Sequence, residues 1–175
     1  MTATITIPTV ETARLRLRAP HMADFDAYAD FRASTRTDHI GGPLPRDAAF
    51  THFTALAGHW WLHGFGRWIV AERDSDAPLG FVGLFYPDGW PEPEISWSLF
   101  AAAEGRGIAA EAARAARDHA YDVLGWSTVI SMMSVENHRS VALAKRLGAV
   151  HERDLHHPVF GPMHLYRHLA PQARP

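Results

Sequence analysis

A chain of 175 residues has the length of one domain, and 47% apolar residues with six Trp and nine Phe supply surface for a buried core, which excludes a disordered polypeptide. A formal net charge of −2, with no run of like charges, excludes the strongly basic face of a nucleic-acid binder. The absence of cysteine excludes disulfides, zinc–thiolate centres and a cysteine nucleophile.

Residues 1–14 lack the basic start and apolar core of a signal peptide, and no apolar run approaches the ~20 residues that cross a bilayer, so a cytoplasmic protein without a membrane partner is expected. Residues 14–18 alternate charged and apolar side chains, the period of a half-buried strand. Phe25, Tyr28, Ala29 and Phe31 fall at helical spacing within 24–34. A loop over 35–46, broken by Gly41, Gly42, Pro43 and Pro45, leads to a second helix over 47–63 that ends at Gly64. Strands over 67–72 and 79–85 flank a polar turn, and a proline-rich loop leads to a third strand over 94–100.

In that third strand Glu94, Ser96 and Ser98 share one face, and Ile95, Trp97 and Leu99 share the other. Residues 107–124 give the clearest amphipathic helix, with Ile108, Ala112, Ala115, His119 and Val123 on its apolar side. A strand over 127–135, a short helix over 137–147 and strands over 149–154 and 163–168 complete the chain. The strand–helix–strand unit in the middle predicts parallel pairing there, and the turn-linked strands before it predict antiparallel pairing. The expected fold is one mixed α/β domain over 1–175, a twisted sheet of six to seven strands with about four helices on both faces.

The segment between the third strand and the clearest helix carries the chemistry. Gly105 and Gly107 lack side chains, so an anion can approach the backbone ahead of a helix whose first N–H groups are unpaired and lie at the positive end of the macrodipole. Arg106 adds a charge. The spacing matches neither the dinucleotide fingerprint nor the nucleoside triphosphate loop.

Around this turn stand Glu94-Ile95-Ser96-Trp97-Ser98-Leu99, Gly105-Arg106-Gly107-Ile108-Ala109-Ala110-Glu111-Ala112, Asn137-His138-Arg139-Ser140 and Leu147-Gly148-Ala149, in that order. Together they resemble the GCN5-related N-acetyltransferase superfamily over residues 11–169, and most of all its ribosomal-protein N-terminal alanine acetyltransferase branch. The resemblance implies an acetyl-CoA-dependent N-acetyltransferase acting on a small-molecule amine or a protein N-terminus. It places the pyrophosphate loop on Gly105, Arg106, Gly107, Ile108 and Ala109, and the pantetheine chain in a gap along the backbone of Ser98, Leu99 and Phe100. It assigns Asn137 to the cofactor, with Ser140 one helical turn on near the thioester sulfur; charge and proximity point Arg139 at the adenosine 3′-phosphate. A homodimer follows from the same resemblance.

Two positions depart from the family pattern. Glu104 is a carboxylate beside a diphosphate, and avoids repulsion only by turning to solvent or to Arg106. The last helix lacks the Tyr that many members use as the acid. Ser140 is the candidate acid here, with a backbone-bound helix-start hydroxyl as the competing role. For the base, Glu94 is the first candidate and Glu92 the second. The N–H of Leu99 or Phe100 is expected to polarise the acyl carbonyl.

Trp90, Asp88 and Glu92 favour a cationic or amino-terminal acceptor. The five histidines at 151, 156, 157, 164 and 168 lack a compact ligand pattern, so no metal site is expected. A catalytically weak acyl-CoA-binding module and an unrelated phosphate-ligand protein are the competing readings.

Overall fold

The alternation at residues 14–18 places Leu15 and Leu17 wholly inside the computed structural model, which describes residues 5–173. These two form strand β2 (Leu15–Arg18), preceded by β1 (Val10–Glu11). Helices α1 (Phe25–Arg32) and α2 (Arg46–His63) follow, then β3 (Arg67–Glu72), β4 (Pro78–Phe85) and β5 (Glu94–Leu99). The chain continues through α3 (Ile108–Asp122), β6 (Ile130–Ser134), α4 (His138–Arg146), β7 (Val150–His157) and β8 (Gly161–Arg167). The strands form one mixed sheet in the order β1-β2-β3-β4-β5-β6-β8-β7, and β5 with β6 is its parallel pair.

The sheet has eight strands, one more than expected. The extra strand, β1, pairs only Val10 with Leu17 and Glu11 with Arg16, too short a run to show a period of two. The loop expected over 35–46 contains a 3-10 turn, Thr35–Ile40, closed by Gly41 in the left-handed region at φ 96°.

Helices α1 and α2 cover one face, packing Phe25, Tyr28, Phe31 and Phe53 against Ile69, Phe81 and Phe100. Helix α3 covers the other with Ile108, Ala112, Ala113, Ala116 and Ala120, small side chains that let it lie close on β2 to β5. Helix α4 lies on that same side through Leu143, Ala144 and Leu147. Each fully buried Leu or Ile contributes ~1.5–3 kcal/mol. Trp60 at the end of α2 reaches the α3-side core past Gly66, where an added Cβ would stand 2.6 Å from the indole.

Helix α3 differs from its expected face at two places. Val123 lies beyond the last turn and is 67% exposed. Arg117 is buried instead, and its Nη1 donates to the Leu147 carbonyl at the end of α4 at 2.9 Å. A buried ion pair, Arg18 with Asp24 at 2.8 Å, ties β2 to the entrance of α1.

Candidate active site

The parallel pair β5–β6 is in register only at Glu94 and Ile130, and beyond that point the strands part. Side chains occupy the start of the opening. The Glu94 carboxylate accepts the Met132 N–H at 2.8 Å, and the Ser131 hydroxyl donates to the Ile95 carbonyl at 2.6 Å. With that proton committed, Nε2 of the buried His168 must be the donor to Ser131 Oγ, at 2.9 Å. Burial pulls the His168 pKa down to about 3, with a further push from Arg117, so this ring stays neutral.

Strand alternation decides which backbone groups face the gap. The Phe100 N–H donates to Leu79 on β4 at 2.8 Å, so Phe100 and Ser98 present their N–H groups to β4. Leu99 has the opposite parity and turns its N–H toward the gap, on the side where the Ile95 carbonyl is reached from β6. Of the two amides expected to polarise an acyl oxygen, Leu99 alone is oriented for it, and the Phe100 assignment is corrected on that ground.

The gap opens onto a groove of about 770 Å³ that runs to the start of α3. Gly105 and Gly107 both sit in the left-handed region, at φ 72° and 76°, which an L side chain adopts only under strain. Gly107 is the N-cap residue, and the first helical bond is the Glu111 N–H to its carbonyl. The N–H groups of Ile108, Ala109 and Ala110 precede that bond and are free for an anion. Arg106 faces away from the groove, pairing with Glu72 at 2.8 Å. Its carbonyl and Glu111 are gripped by Arg14, which fixes the helix start on the strand before α1.

Helix α4 begins on the opposite wall. Asn137 caps it by accepting the Ser140 N–H at 3.1 Å. The Ser140 hydroxyl is not bound to backbone; it accepts the Trp97 indole N–H at 3.1 Å, which leaves its own proton free. Glu104 bridges Arg36 and Arg139 across the groove mouth rather than turning to Arg106. Burial would raise its pKa, but the hydrogen bonds from Arg36 and Arg139 outweigh that and hold it below the ordinary carboxylate range. The three groups together leave one net positive charge beside the helix start.

A second cavity, of about 660 Å³, meets this groove at Trp97, Ser98, Asn137 and Ser140. It lies under α1 and α2 and contains Glu94. Glu94 is 4% exposed. Burial raises its pKa to about 7, against the partial opposition of the Met132 N–H, the nearby Trp90 indole and the Arg67 charge. The Trp90 N–H lies off good hydrogen-bond geometry, so the Met132 amide is the firm donor.

His59 lines the same cavity with both nitrogens engaged: Tyr86 N–H donates to Nε2 at 3.0 Å, so Nδ1 carries the proton and donates to the Phe65 carbonyl at 2.8 Å. Glu92, the second candidate base, is held by Arg167 at 2.7 Å, away from this cavity.

Arg32 and Arg67 also line the cavity, and sequence reasoning missed both. Arg32 carries a visible signal, standing four residues after Tyr28 on the apolar stripe of α1. The β7–β8 hairpin further brings His151 and His164 onto one carboxylate oxygen of Asp154, at 2.7 and 2.6 Å, a grouping that the linear spacing did not reveal.

The chain belongs to the GNAT acetyltransferase family, whose domain profile, described as acetyltransferase (GNAT) domain, matches residues 14–150. Among solved structures it is similar to an acetyltransferase from Agrobacterium tumefaciens str. C58, at 34% identity and TM-score 0.86 over 97% of this chain and 98% of that one. A GNAT-family acetyltransferase from Bacillus anthracis shares the fold at 17% identity and TM-score 0.79, over 93% and 98% of the two chains. The ribosomal L7/L12 alpha-N-protein acetyltransferase RimL shares it at 13% identity and TM-score 0.77, over 97% and 98%.

The family generally uses acetyl-CoA, and the residues here fit such a donor. A helix start with free amides and no side chain in the way suits a diphosphate, and the strand gap suits an extended thiol arm. Among the described residues, no helix is long and apolar enough to cross a membrane.

Proposed function

We propose that this chain transfers the acetyl group of acetyl-CoA to a primary amine by direct attack, the acceptor being a small-molecule amine or a protein N-terminus. The amides of Ile108, Ala109 and Ala110 with Gly105 and Gly107 would hold the diphosphate, Arg139 the adenosine 3′-phosphate, and Asn137 and the Leu99 backbone the pantetheine arm. The bound donor supplies an activated acyl carbon.

Glu94 takes the proton from the acceptor nitrogen. A carboxylate with a pKa of about 7 is a far better base at neutral pH than one at 4.5. Leu99 N–H is turned toward the acyl oxygen's position in the gap, and Ser140 returns a proton to the departing sulfur. The N–C bond forms as the C–S bond breaks; Glu94 then releases its proton to solvent and Ser140 takes one back from solvent, so that both residues are restored. No residue need be acylated, which suits a chain without cysteine.

The observation that carries this reading is the meeting of the two cavities at Ser140, with the buried, pKa-raised Glu94 on the far side from the cofactor groove. The test is thiol release from acetyl-CoA with a panel of amines and N-terminal peptides, with mass detection of the amide. Tight coenzyme A binding without release from any acceptor overturns it in favour of an acyl-CoA-binding module of the same fold. The reading includes a cytoplasmic location, checked by fractionation, and a homodimer. The exposed Trp61 and Leu62 on α2 support the dimer, and light scattering tests it.

A further inference from the structure

Among the described residues, two arginines in the acceptor cavity have no counter-ion. Arg32 is 4% exposed, its Nε has no partner, and its Nη atoms reach only the Ile40 carbonyl at a long 3.4 Å. Arg67 lies with its guanidinium over the Phe85 ring at 4.0 Å and the Phe81 ring at 5.4 Å. Neither has a carboxylate within ion-pair distance, whereas every other described arginine is paired or, like Arg114 and Arg146, exposed.

Enclosing a guanidinium without an anion is costly, and an unsatisfied buried donor calls for a partner. The Phe85 and Phe81 rings hold Arg67 by cation–π contact, which leaves guanidinium N–H donors available for a planar oxyanion. Glu94 is the carboxylate lining this cavity, and it holds its proton up to about pH 7. The field of the pair reaches His52, whose pKa burial lowers and the two arginines lower further. Phe81, Phe85, Ile40 and Trp90 contribute apolar lining to the cavity that holds the arginines and Glu94.

Resting on the reading of this cavity as the acceptor site, we propose that the acceptor is a small amine bearing a carboxylate or comparable oxyanion, with its amine at Glu94, its oxyanion held by Arg32 and Arg67, and an apolar body between them. This reverses the cationic acceptor expected from Trp90, Asp88 and Glu92. Glu92 is neutralised by Arg167, and Asp88 does not line the cavity.

The test compares matched acceptors in the thiol-release assay, each with an apolar body between amine and carboxylate: 4-(aminomethyl)benzoate with benzylamine, and 4-aminobutyrate with butylamine. The carboxylate member of at least one pair is expected to have a kcat/KM at least ten-fold higher. In Arg67→Gln and Arg32→Gln that ratio falls toward one. Because neither arginine has a counter-ion to lose, and Gln removes an unpaired charge, both variants should melt near or above the parent temperature. In the unaltered protein, 4-methylbenzoate or butyrate should compete with the acceptor.

Equal or lower rates for both carboxylate members, with no competition by the acids, overturn the proposal while leaving acetyl transfer intact. Failure of every amine, with coenzyme A bound in calorimetry, instead removes the parent reading. A ratio unchanged in both arginine variants overturns the assignment of these residues.

Discussion

Replacing Glu94 by Gln separates its catalytic work from its cost to the fold. The folded carboxyl keeps its proton up to about pH 7, whereas an ordinary Glu loses it near 4.5. The native state therefore binds more protons than the unfolded chain between those values, so stability falls as pH rises through that window and levels off above about pH 7. The interval corresponds to roughly 3 kcal/mol for charging Glu94 in place. Gln removes the ionisation but keeps an oxygen for the Met132 amide. Urea titrations should show Glu94→Gln gaining up to about 3 kcal/mol relative to the parent at about pH 8 compared with about pH 4.

In the rate assay, parent kcat/KM should rise with pH through an inflection near 7, and the variant should lose that inflection together with roughly 10²–10⁴ of the rate. A parent profile flat through neutrality, or a variant with full activity, would refute the assignment of the base. A variant with pH-independent relative stability would refute the burial argument itself.

Gly107→Val forces a β-branched residue into the left-handed region at the head of α3, and coenzyme A affinity by calorimetry should fall at least about ten-fold; an unchanged Kd removes the diphosphate from this place. Ser140→Ala should lower kcat about ten-fold or more while KM stays within about a factor of two, and equal rates would end its role as acid. Glu104→Gln frees Arg36 and Arg139 and removes a like charge, so coenzyme A should bind more tightly by about 1 kcal/mol at low salt and less so at high salt. Weaker binding would mean that Glu104 positions the two arginines. Asp24→Ala removes the hydrogen bonds from the Arg18 Nη atoms to Asp24 and leaves that buried guanidinium with Asp76, 2.9 Å from its Nε, so denaturant titration should show a loss of about 1.5–3 kcal/mol; a loss under about 1 kcal/mol would show that Asp76 and water suffice.

What could be read from the residues followed short-range periodicity. Strand β3 begins and ends where the flanking turns put it, and Gly64 and the Gly105–Gly107 turn mark real helix boundaries because only glycine adopts those torsions cheaply. Long-range pairing left no such trace. Glu104 meets Arg139 across 35 positions, and Ser131 meets His168 across 37, so neither link had a local pattern to reveal it. Arg106 was drawn to Glu72 by a strand that the turn itself does not encode. The cavity under α1 and α2 depended on the same kind of information, although a lone arginine on the apolar stripe of α1 was a usable hint.

The bond from Arg117 to the Leu147 carbonyl joins the tail of α4 to the middle of α3, while the heads of both helices line the groove of about 770 Å³. The two rods thus behave like the arms of a caliper with its rivet at the rear of the domain. A change at this rivet, in a place no ligand touches, would reset the opening between the jaws.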